Sequence, residues 1–309
     1  MGKTLTNSVD RWLLRAILTT SVLLLLLLAA FGGYYYVSSG SRAGDTSLGG
    51  QLAPLEKQVR ERPNDAELRV ALANLYVEKG RLDDAIGQAK AALQLRKDHG
   101  GALLVLGTAY MNDGEYDEAI QVWQRLVELN KDNPMAKQSP ELALVHHNLG
   151  NIYLQRGQLD DAVTEFEASL ATDRTNADTY FLLGEARLGR EDAKGAVEAY
   201  RQALRLTPGF SEAYTSLNKA YQAEGNAAGA SYAQAMLLYL DGLYDEAIAK
   251  LEVLAAGEMN AAEVHLGMGM AYEKLGKKGK AYQEYEAALS LDPRSYAARQ
   301  GLGRLGAQP

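Results

Sequence analysis

The sequence predicts an all-α protein in which stacked pairs of helices follow one membrane-spanning helix. The first observation is an uncharged segment of 22 residues, 16–37, which contains six consecutive leucines. The second is a pattern of small residues, tyrosines and glycines that recurs at intervals of 34 residues along most of the remaining chain. The third is the three- and four-residue spacing of the apolar residues between these marks, which is the period of an amphipathic helix.

The composition is that of a folded chain with few residues suited to catalysis. Of the 309 residues, 47% are hydrophobic and 23% are charged, as in ordinary globular proteins. The absence of cysteine excludes disulfides, thiolate metal sites and a cysteine nucleophile. The formal net charge of -7 argues against a phosphate-binding surface, so no nucleic-acid partner is predicted.

Residues 16–37 are predicted to span a membrane. A helix of this length is roughly 33 Å long, which is enough for a hydrocarbon core of about 30 Å. The leucine run favours insertion, and Tyr34, Tyr35 and Tyr36 lie where aromatic rings prefer the headgroup region. A cleaved signal peptide, with cleavage near Leu28 and Ala30, is the alternative, although its apolar segment would be unusually long.

The charges that flank this span predict its orientation. Lys3, Arg11 and Arg15 precede it, whereas Arg42 is the only basic residue between 38 and 56. Because cytoplasmic flanks carry the excess of Lys and Arg, residues 1–15 are predicted to be a cytoplasmic tail. Residues 38–52, which begin with a Gly- and Ser-rich stretch, are predicted to be a flexible linker. The remaining chain is then expected outside the cytoplasm, which in a bacterium is the periplasmic side of the inner membrane.

A series of alanines marks the repeat. Four of the six steps between them are 34 residues, one is 43 and one is 17, or half a repeat. A small residue, a tyrosine three places later and a glycine recur in the same phase in most units, so each unit is predicted to be two amphipathic helices joined by a tight turn. The marking alanines are Ala85, Ala119, Ala162, Ala196, Ala230, Ala247 and Ala281.

This pattern resembles the tetratricopeptide repeat (TPR). The family's Leu-Gly pair, Tyr, Ala, aromatic residue and closing Pro are matched well by Leu149-Gly150 with Phe166, and by Tyr272 with Pro293. The resemblance covers roughly residues 53–306. It implies a right-handed solenoid of about seven helix pairs, of a kind found in membrane-anchored proteins of the bacterial envelope.

Two irregularities interrupt the pattern. Residues 131–142 lengthen the connection between the second and third units and contain two prolines, which is consistent with a surface loop or with a partner contact. The half-repeat step falls near residues 225–229. Because an odd helix changes which face an alternating array presents, we expect a break or a bend there, dividing the array into 53–225 and 228–306.

The sequence contains no convincing catalytic constellation. Acidic pairs such as Asp83-Asp84 and Asp160-Asp161 fall at the predicted starts of second helices, where negative charge is favoured by the helix dipole. His146 and His265 occupy the same position of a first helix and are interpreted as core packing residues. We therefore predict no enzyme, no catalytic residue, no cofactor and no metal site.

The resemblance implies that first helices line a concave groove that holds a partner polypeptide. Some arrays of the family clamp a partner's terminal carboxylate with Lys and Arg, but this chain has Asp178 and Leu182 where basic residues are needed. The candidate groove residues, carried over by phase, are Asn74, Thr108, Met111, His147, Asn151, Gln155, Phe181, Glu185, Lys219, Tyr232, Met236 and Tyr239.

The expected function is that of a membrane-anchored scaffold or assembly factor that binds protein partners outside the cytoplasm, in a membrane or envelope complex. A stable accessory subunit of a multi-subunit membrane complex is the first alternative. A docking receptor whose array faces the cytoplasm is the second.

Overall fold

A computed structural model describes residues 49–257, 259 and 261–306, and within this part of the chain it contains fifteen α-helices, one 3-10 helix and no strand. The predicted all-α class is confirmed. The helices are α1 Gly49–Glu61, α2 Ala66–Glu78, α3 Leu82–Leu95, α4 Gly100–Asp113, α5 Tyr116–Asn130, α6 Pro140–Gln155, α7 Leu159–Thr172, α8 Ala177–Gly189, α9 Ala193–Leu206, α10 Ser211–Glu224, α11 Ala227–Leu240, α12 Tyr244–Ala256, α13 Ala262–Lys274, α14 Lys278–Leu291 and α15 Tyr296–Arg304. The 3-10 helix, Pro134–Gln138, lies in the predicted insertion.

The predicted tail 1–15, the predicted span 16–37 and residues 38–48 of the predicted linker lie outside the described residues. Among the residues that are described, no helix combines the length and the apolar character needed to cross a bilayer. The contacts between residues divide the chain within α5, between Ala119 and Ile120, and the two units are described separately below.

In the first unit, α1 begins at Gly49, within the predicted linker. Leu52 and Leu55 pack with Val59 on a core that includes Leu72 and Tyr76 of α2. The Tyr76 hydroxyl donates a hydrogen bond of 2.9 Å to Glu56 Oε1 of α1. The apolar spacing of Leu52, Leu55 and Val59 is that of a helix face, and it explains why the helix starts earlier than the composition suggested.

Several helices begin or end at the acidic pairs and glycines that the sequence pattern identified. Turn glycines, for example Gly157 and Gly225, adopt left-handed φ angles of 71° and 76°, a conformation that is least costly for glycine. The acidic pairs occupy the first turns of α3, α5, α7 and α12, as predicted. In the turn between α8 and α9 the glycine position is taken by Glu191, whose φ is 64°.

Replacing Glu191 with glycine is expected to stabilise the protein by roughly 0.5–1 kcal/mol, because the left-handed backbone is strained for a residue with a Cβ. Urea unfolding would measure the change. Glu191→Gln is the matched control, since it removes the charge and keeps the strain, and it should leave stability nearly unchanged. A less stable Glu191→Gly variant would contradict the strain argument.

In three helix pairs of the second unit, an aromatic ring of the second helix packs on a glycine of the preceding first helix. Phe166 of α7 lies against Gly150 of α6, and Tyr285 of α14 lies against Gly269 of α13. A Cβ added at Gly150 would come within 2.8 Å of the Phe166 ring. The small residue is therefore what allows the two helices of a pair to approach closely.

The alternation of first and second helices changes at Gly225. First helices contact each other between neighbouring pairs, as α6 with α8 and α8 with α10. Beyond the shift it is α11 that contacts α13, although α11 directly follows α10 and packs on it. Both α10 and α11 therefore belong to the row of first helices, and no second helix separates them.

The packing is not interrupted at this phase change. One hydrophobic core runs from Ala196 of α9 to Ala298 of α15, across the position where the sequence suggested separate arrays 53–225 and 228–306. Gly229 explains the close contact, because a Cβ there would lie 2.5 Å from the Tyr221 ring of α10. Small side chains at the start of α11 thus let it lie directly against α10.

Candidate protein-binding surfaces

The predicted groove residues of the first unit have mixed exposure. Asn74 of α2 is exposed, and Met111 of α4 is half-buried. Thr108 is also half-buried, and its hydroxyl donates a hydrogen bond of 2.9 Å to the Leu104 carbonyl of its own helix. Asn74 is therefore the member of this set whose side chain is most accessible to a partner.

On α6, the predicted residues include one that connects two first helices. His147 Nδ1 lies 2.7 Å from the hydroxyl oxygen of Thr179 on α8, and its imidazole packs edge-on against Phe166 at a centroid distance of 6.1 Å. Burial lowers the pKa of His147, with Asp178 opposing the shift. Asn151 and Gln155 lie one and two turns further along α6, and Gln155 Nε2 donates to Asn151 Oδ1 at 3.3 Å.

Replacing His147 with asparagine is expected to make stability less dependent on pH. The unfolded chain takes up a proton at His147 near pH 6.5, whereas the folded protein resists protonation until a lower pH. Wild-type stability should therefore fall as the pH drops below about 6.5, by at most about 1.4 kcal/mol per pH unit for this group. Equal slopes of unfolding free energy against pH in both proteins would contradict the assignment.

Phe181, Glu185 and Lys219 occupy the first-helix face of α8 and α10. Phe181 packs against the rings of Tyr200 and Phe210, at centroid distances of 5.9 and 4.9 Å. Glu185 Oε1 accepts a hydrogen bond of 2.5 Å from the Tyr200 hydroxyl, whereas Lys219 is exposed. Phe181 and Glu185 thus contribute to the packing of α8 on α9, and Lys219 remains accessible.

The three predicted residues of α11 differ most from the expectation. Tyr232 and Met236 are only 7% and 2% exposed, so little of either side chain is accessible to a partner. Tyr232 packs edge-on against Tyr214 of α10, and Met236 lies against Gly267 of α13. Tyr239 is half-buried and packs on Tyr244. The burial of these residues is explained by the phase change, which places α11 between α10 and α13.

The histidines interpreted as core residues have polar partners. His146 Nδ1 lies 2.6 Å from Glu165 Oε2, and His265 Nδ1 lies 2.7 Å from Glu284 Oε2 in the equivalent place of a later pair. Both imidazoles are partly exposed, at 19% and 16%. They therefore join the first helix to the second by a hydrogen bond as well as by packing. Among the described residues, no group of three His, Asp or Glu side chains is placed to hold a metal ion.

The second unit contains a cleft that the sequence did not predict. The α9–α13 cleft, as we call it, has a volume of about 1240 Å3. Its floor is formed by buried side chains of α10 and α11, among them Leu217, Tyr221 and Met236. One wall consists of α8 and α9, and the other of α13, the end of α14 and the start of α15.

An ion pair joins the two walls of the α9–α13 cleft. Arg201 of α9 donates a hydrogen bond to Glu263 of α13, although the two residues are 62 positions apart. In a regularly alternating array, helices so far apart in sequence are separated by the pairs between them. The single-helix phase change brings them together, so the cleft is a direct consequence of the half-repeat step.

Arginines dominate the charged lining of the cleft. Arg187 donates to Glu167 at 2.8 Å and to the Gly195 carbonyl at 3.1 Å, and is thereby paired. Arg174, Arg205 and Arg294 also line the cleft and are exposed. No single stretch of sequence contains this set, and its only sequence signal was the 17-residue step that moves α13 towards α9.

The stacked helix pairs, the aromatic-on-glycine contacts and the accessible surfaces define a helical-repeat protein of the interaction-scaffold class. Four family models with the description tetratricopeptide repeat or TPR repeat match residues 70–134, 150–189, 177–210 and 262–295. Together these ranges take in just over half of the chain. The chain belongs to the tetratricopeptide repeat family, whose members mediate protein–protein interactions and whose fold is typically a non-catalytic scaffold.

Solved structures share the fold at low sequence identity. The C-terminal part of a TPR repeat-containing protein from Cytophaga hutchinsonii is 17% identical, with a TM-score of 0.52 over 88% of this chain and 98% of that one. MamA from Desulfovibrio magneticus RS-1 is 22% identical, with a TM-score of 0.50 over 57% of this chain and 94% of that one. These likenesses show the fold alone.

A curated relative matches a shorter stretch. Protein CTR9 homolog of Arabidopsis thaliana is 28% identical over 126 residues, which are 41% of this chain and 11% of that protein. The chain therefore spans about a tenth of the length of this curated relative.

Proposed function

We propose that this protein is a non-catalytic scaffold or assembly factor that binds protein partners and is anchored in a membrane by residues 16–37. The observation that carries the binding role is the array of helix pairs. It leaves polar and aromatic side chains accessible on surfaces that are supported by the packed helices beneath them. Asn74, Gln155 and Lys219 are such side chains on first helices. Rigid surfaces of this kind reduce the entropy that binding costs.

The membrane anchor and the position of the array outside the cytoplasm rest on the sequence. The uncharged length of residues 16–37 supports a span, and the basic residues before it support a cytoplasmic N-terminus. In this arrangement the array would work at an envelope complex. Its acidic character would keep it away from anionic headgroups, so that it meets proteins and not lipid.

The anchor and its orientation can be tested together. The full chain should remain in the membrane fraction after alkaline carbonate washing, whereas a chain lacking residues 1–37 should be released. A C-terminal tag should be cleaved by protease added to cells whose outer barrier has been opened. Release of the full chain would contradict the anchor, and a protected tag would support the cytoplasm-facing docking receptor.

The binding role can be tested by cross-linking in native membranes followed by mass spectrometry and quantitative pull-down. Partners in substoichiometric amounts would support the assembly factor. A fixed stoichiometric complex would instead support the accessory subunit. The absence of any specific cross-linked protein would contradict both.

A further inference from the structure

The α9–α13 cleft contains a small excess of positive charge. The guanidinium groups of Arg174, Arg205 and Arg294 make no hydrogen bond or ion pair with any described residue. One of the three carboxylates in the lining is paired with a cation, since Glu263 accepts a hydrogen bond from Arg201. Asp292 accepts a hydrogen bond from the backbone N–H of Arg294 and keeps its negative charge. Glu198 and Asp292 therefore oppose the three guanidinium groups, which leaves an excess of one positive charge.

Exposed apolar side chains lie beside these arginines. Leu206, Leu291 and Tyr296 line the same cleft and are 41%, 48% and 70% exposed. The lining therefore combines arginines that have no ion-pair partner with accessible apolar surface. A patch of this kind, bordered by polar groups, is typical of an interaction site.

We propose that the α9–α13 cleft binds an acidic segment of another protein in which carboxylates stand beside apolar side chains. This inference rests on the scaffold function proposed above and assigns it a site that includes side chains of a second helix, such as Arg205 of α9. The arginines would bind the carboxylates of the segment, because a guanidinium group can donate two parallel hydrogen bonds to one carboxylate. The exposed leucines and the tyrosine take up the apolar side chains of the segment.

The charge of the whole chain supports an acidic peptide over a nucleic acid. The protein has a net charge of -7, so a long polyanion would be repelled as soon as it extended beyond the cleft. Glu198 within the lining disfavours a continuous row of phosphates for the same reason. A short segment with a few carboxylates avoids both effects.

The volume of the cleft supports a polypeptide over a small molecule. Small-molecule pockets usually measure about 300–1,000 Å3, and the cleft, at about 1240 Å3, is larger. Its apolar groups are also distributed over both walls, with Leu206 on α9 and Tyr296 on α15. A segment that crosses the cleft would contact both.

The proposal can be tested with a display library of random twelve-residue peptides, selected on the purified full chain in detergent. We expect enrichment of peptides rich in Asp, Glu and large apolar residues. Fluorescently labelled copies of these peptides should bind at least tenfold more weakly to the double variant Arg205→Glu and Arg294→Glu, and more weakly to wild type at higher salt. The matched control is Lys194→Glu with Lys250→Glu, two exposed positions outside the cleft, which should keep wild-type affinity.

Several outcomes would overturn the proposal. These are no enrichment, enrichment of basic or uncharged peptides, or binding that survives the reversal of Arg205 and Arg294. Displacement of the selected peptide by a twelve-nucleotide DNA strand or by inorganic phosphate, at equal concentration, would show a general anion site instead. If cross-linked partners are still recovered with the cleft variant, the scaffold function stands and only the cleft assignment fails.

Discussion

Removal of α15 is expected to lower the free energy of unfolding of the C-terminal part of the array by about 2–4 kcal/mol. Ala298 and Gly301 of α15 are buried, and Gly301 lies directly against the Tyr285 ring of α14. Arg304 Nε and Nη2 donate to the two Glu273 carboxylate oxygens at 2.8 and 2.9 Å. The Tyr285 hydroxyl donates to the same carboxylate at 2.5 Å. Without α15, the aromatic ring would be exposed and Glu273 would lose its cation.

The expected measurement is a lower urea midpoint together with faster amide exchange in α14 when the chain ends at Ser295. A chain that ends at Gly306 keeps α15 and serves as the control. Arg304→Lys isolates the contribution of the bidentate hydrogen bonds, because lysine keeps the positive charge but cannot reproduce the paired contact that lowers the pKa of Glu273. Unchanged exchange protection in α14 after the truncation would show that α15 does not hold this end of the array.

Replacing Gly269 with alanine is expected to destabilise the second unit by about 1–3 kcal/mol, although alanine is the better helix former. The added Cβ would lie 2.7 Å from Tyr285 Cδ1. The ring cannot easily move aside, since its hydroxyl is bound to Glu273 and Gly301 lies against it. Helices α13 and α14 would have to separate slightly, and packing along the pair would weaken.

Gly279→Ala is the matched control for this substitution. Gly279 lies in α14 with no other atom within 4 Å of the added Cβ, so the variant should be as stable as the wild type or more stable by up to about 1 kcal/mol. Urea unfolding of both variants would give the comparison. A Gly269→Ala protein as stable as the wild type would mean that the close approach of the two helices does not depend on the glycine.

The helix pairs could be predicted from the sequence because their determinants are local. Gly157 and Gly225 mark turns, and the 34-residue step places each first helix against its second helix. The start of α1 was missed because the composition of residues 38–52 was given more weight than the apolar spacing of Leu52, Leu55 and Val59.

The candidate site was less predictable because it depends on contacts between distant helices. Tyr232 and Met236 were placed in the groove by their phase, but contacts with α10 and α13 leave both side chains almost fully buried. Arg205 and Arg294 belong to different repeats, and no local pattern relates them. The sequence located the phase change that creates the cleft, but not the direction in which the chain turns there.

Helix α11 carries the signatures of both helix types at once. Ala230 belongs to the alanines that mark the repeat in second helices, and Ala235 occupies the position of the small residue of a first helix. Both are buried, together with Tyr232 and Ala233. A helix that must satisfy neighbours on several sides has few positions free to vary. Saturation mutagenesis should therefore find α11 to be the least substitutable helix of the second unit, while the surfaces around it remain free to diverge.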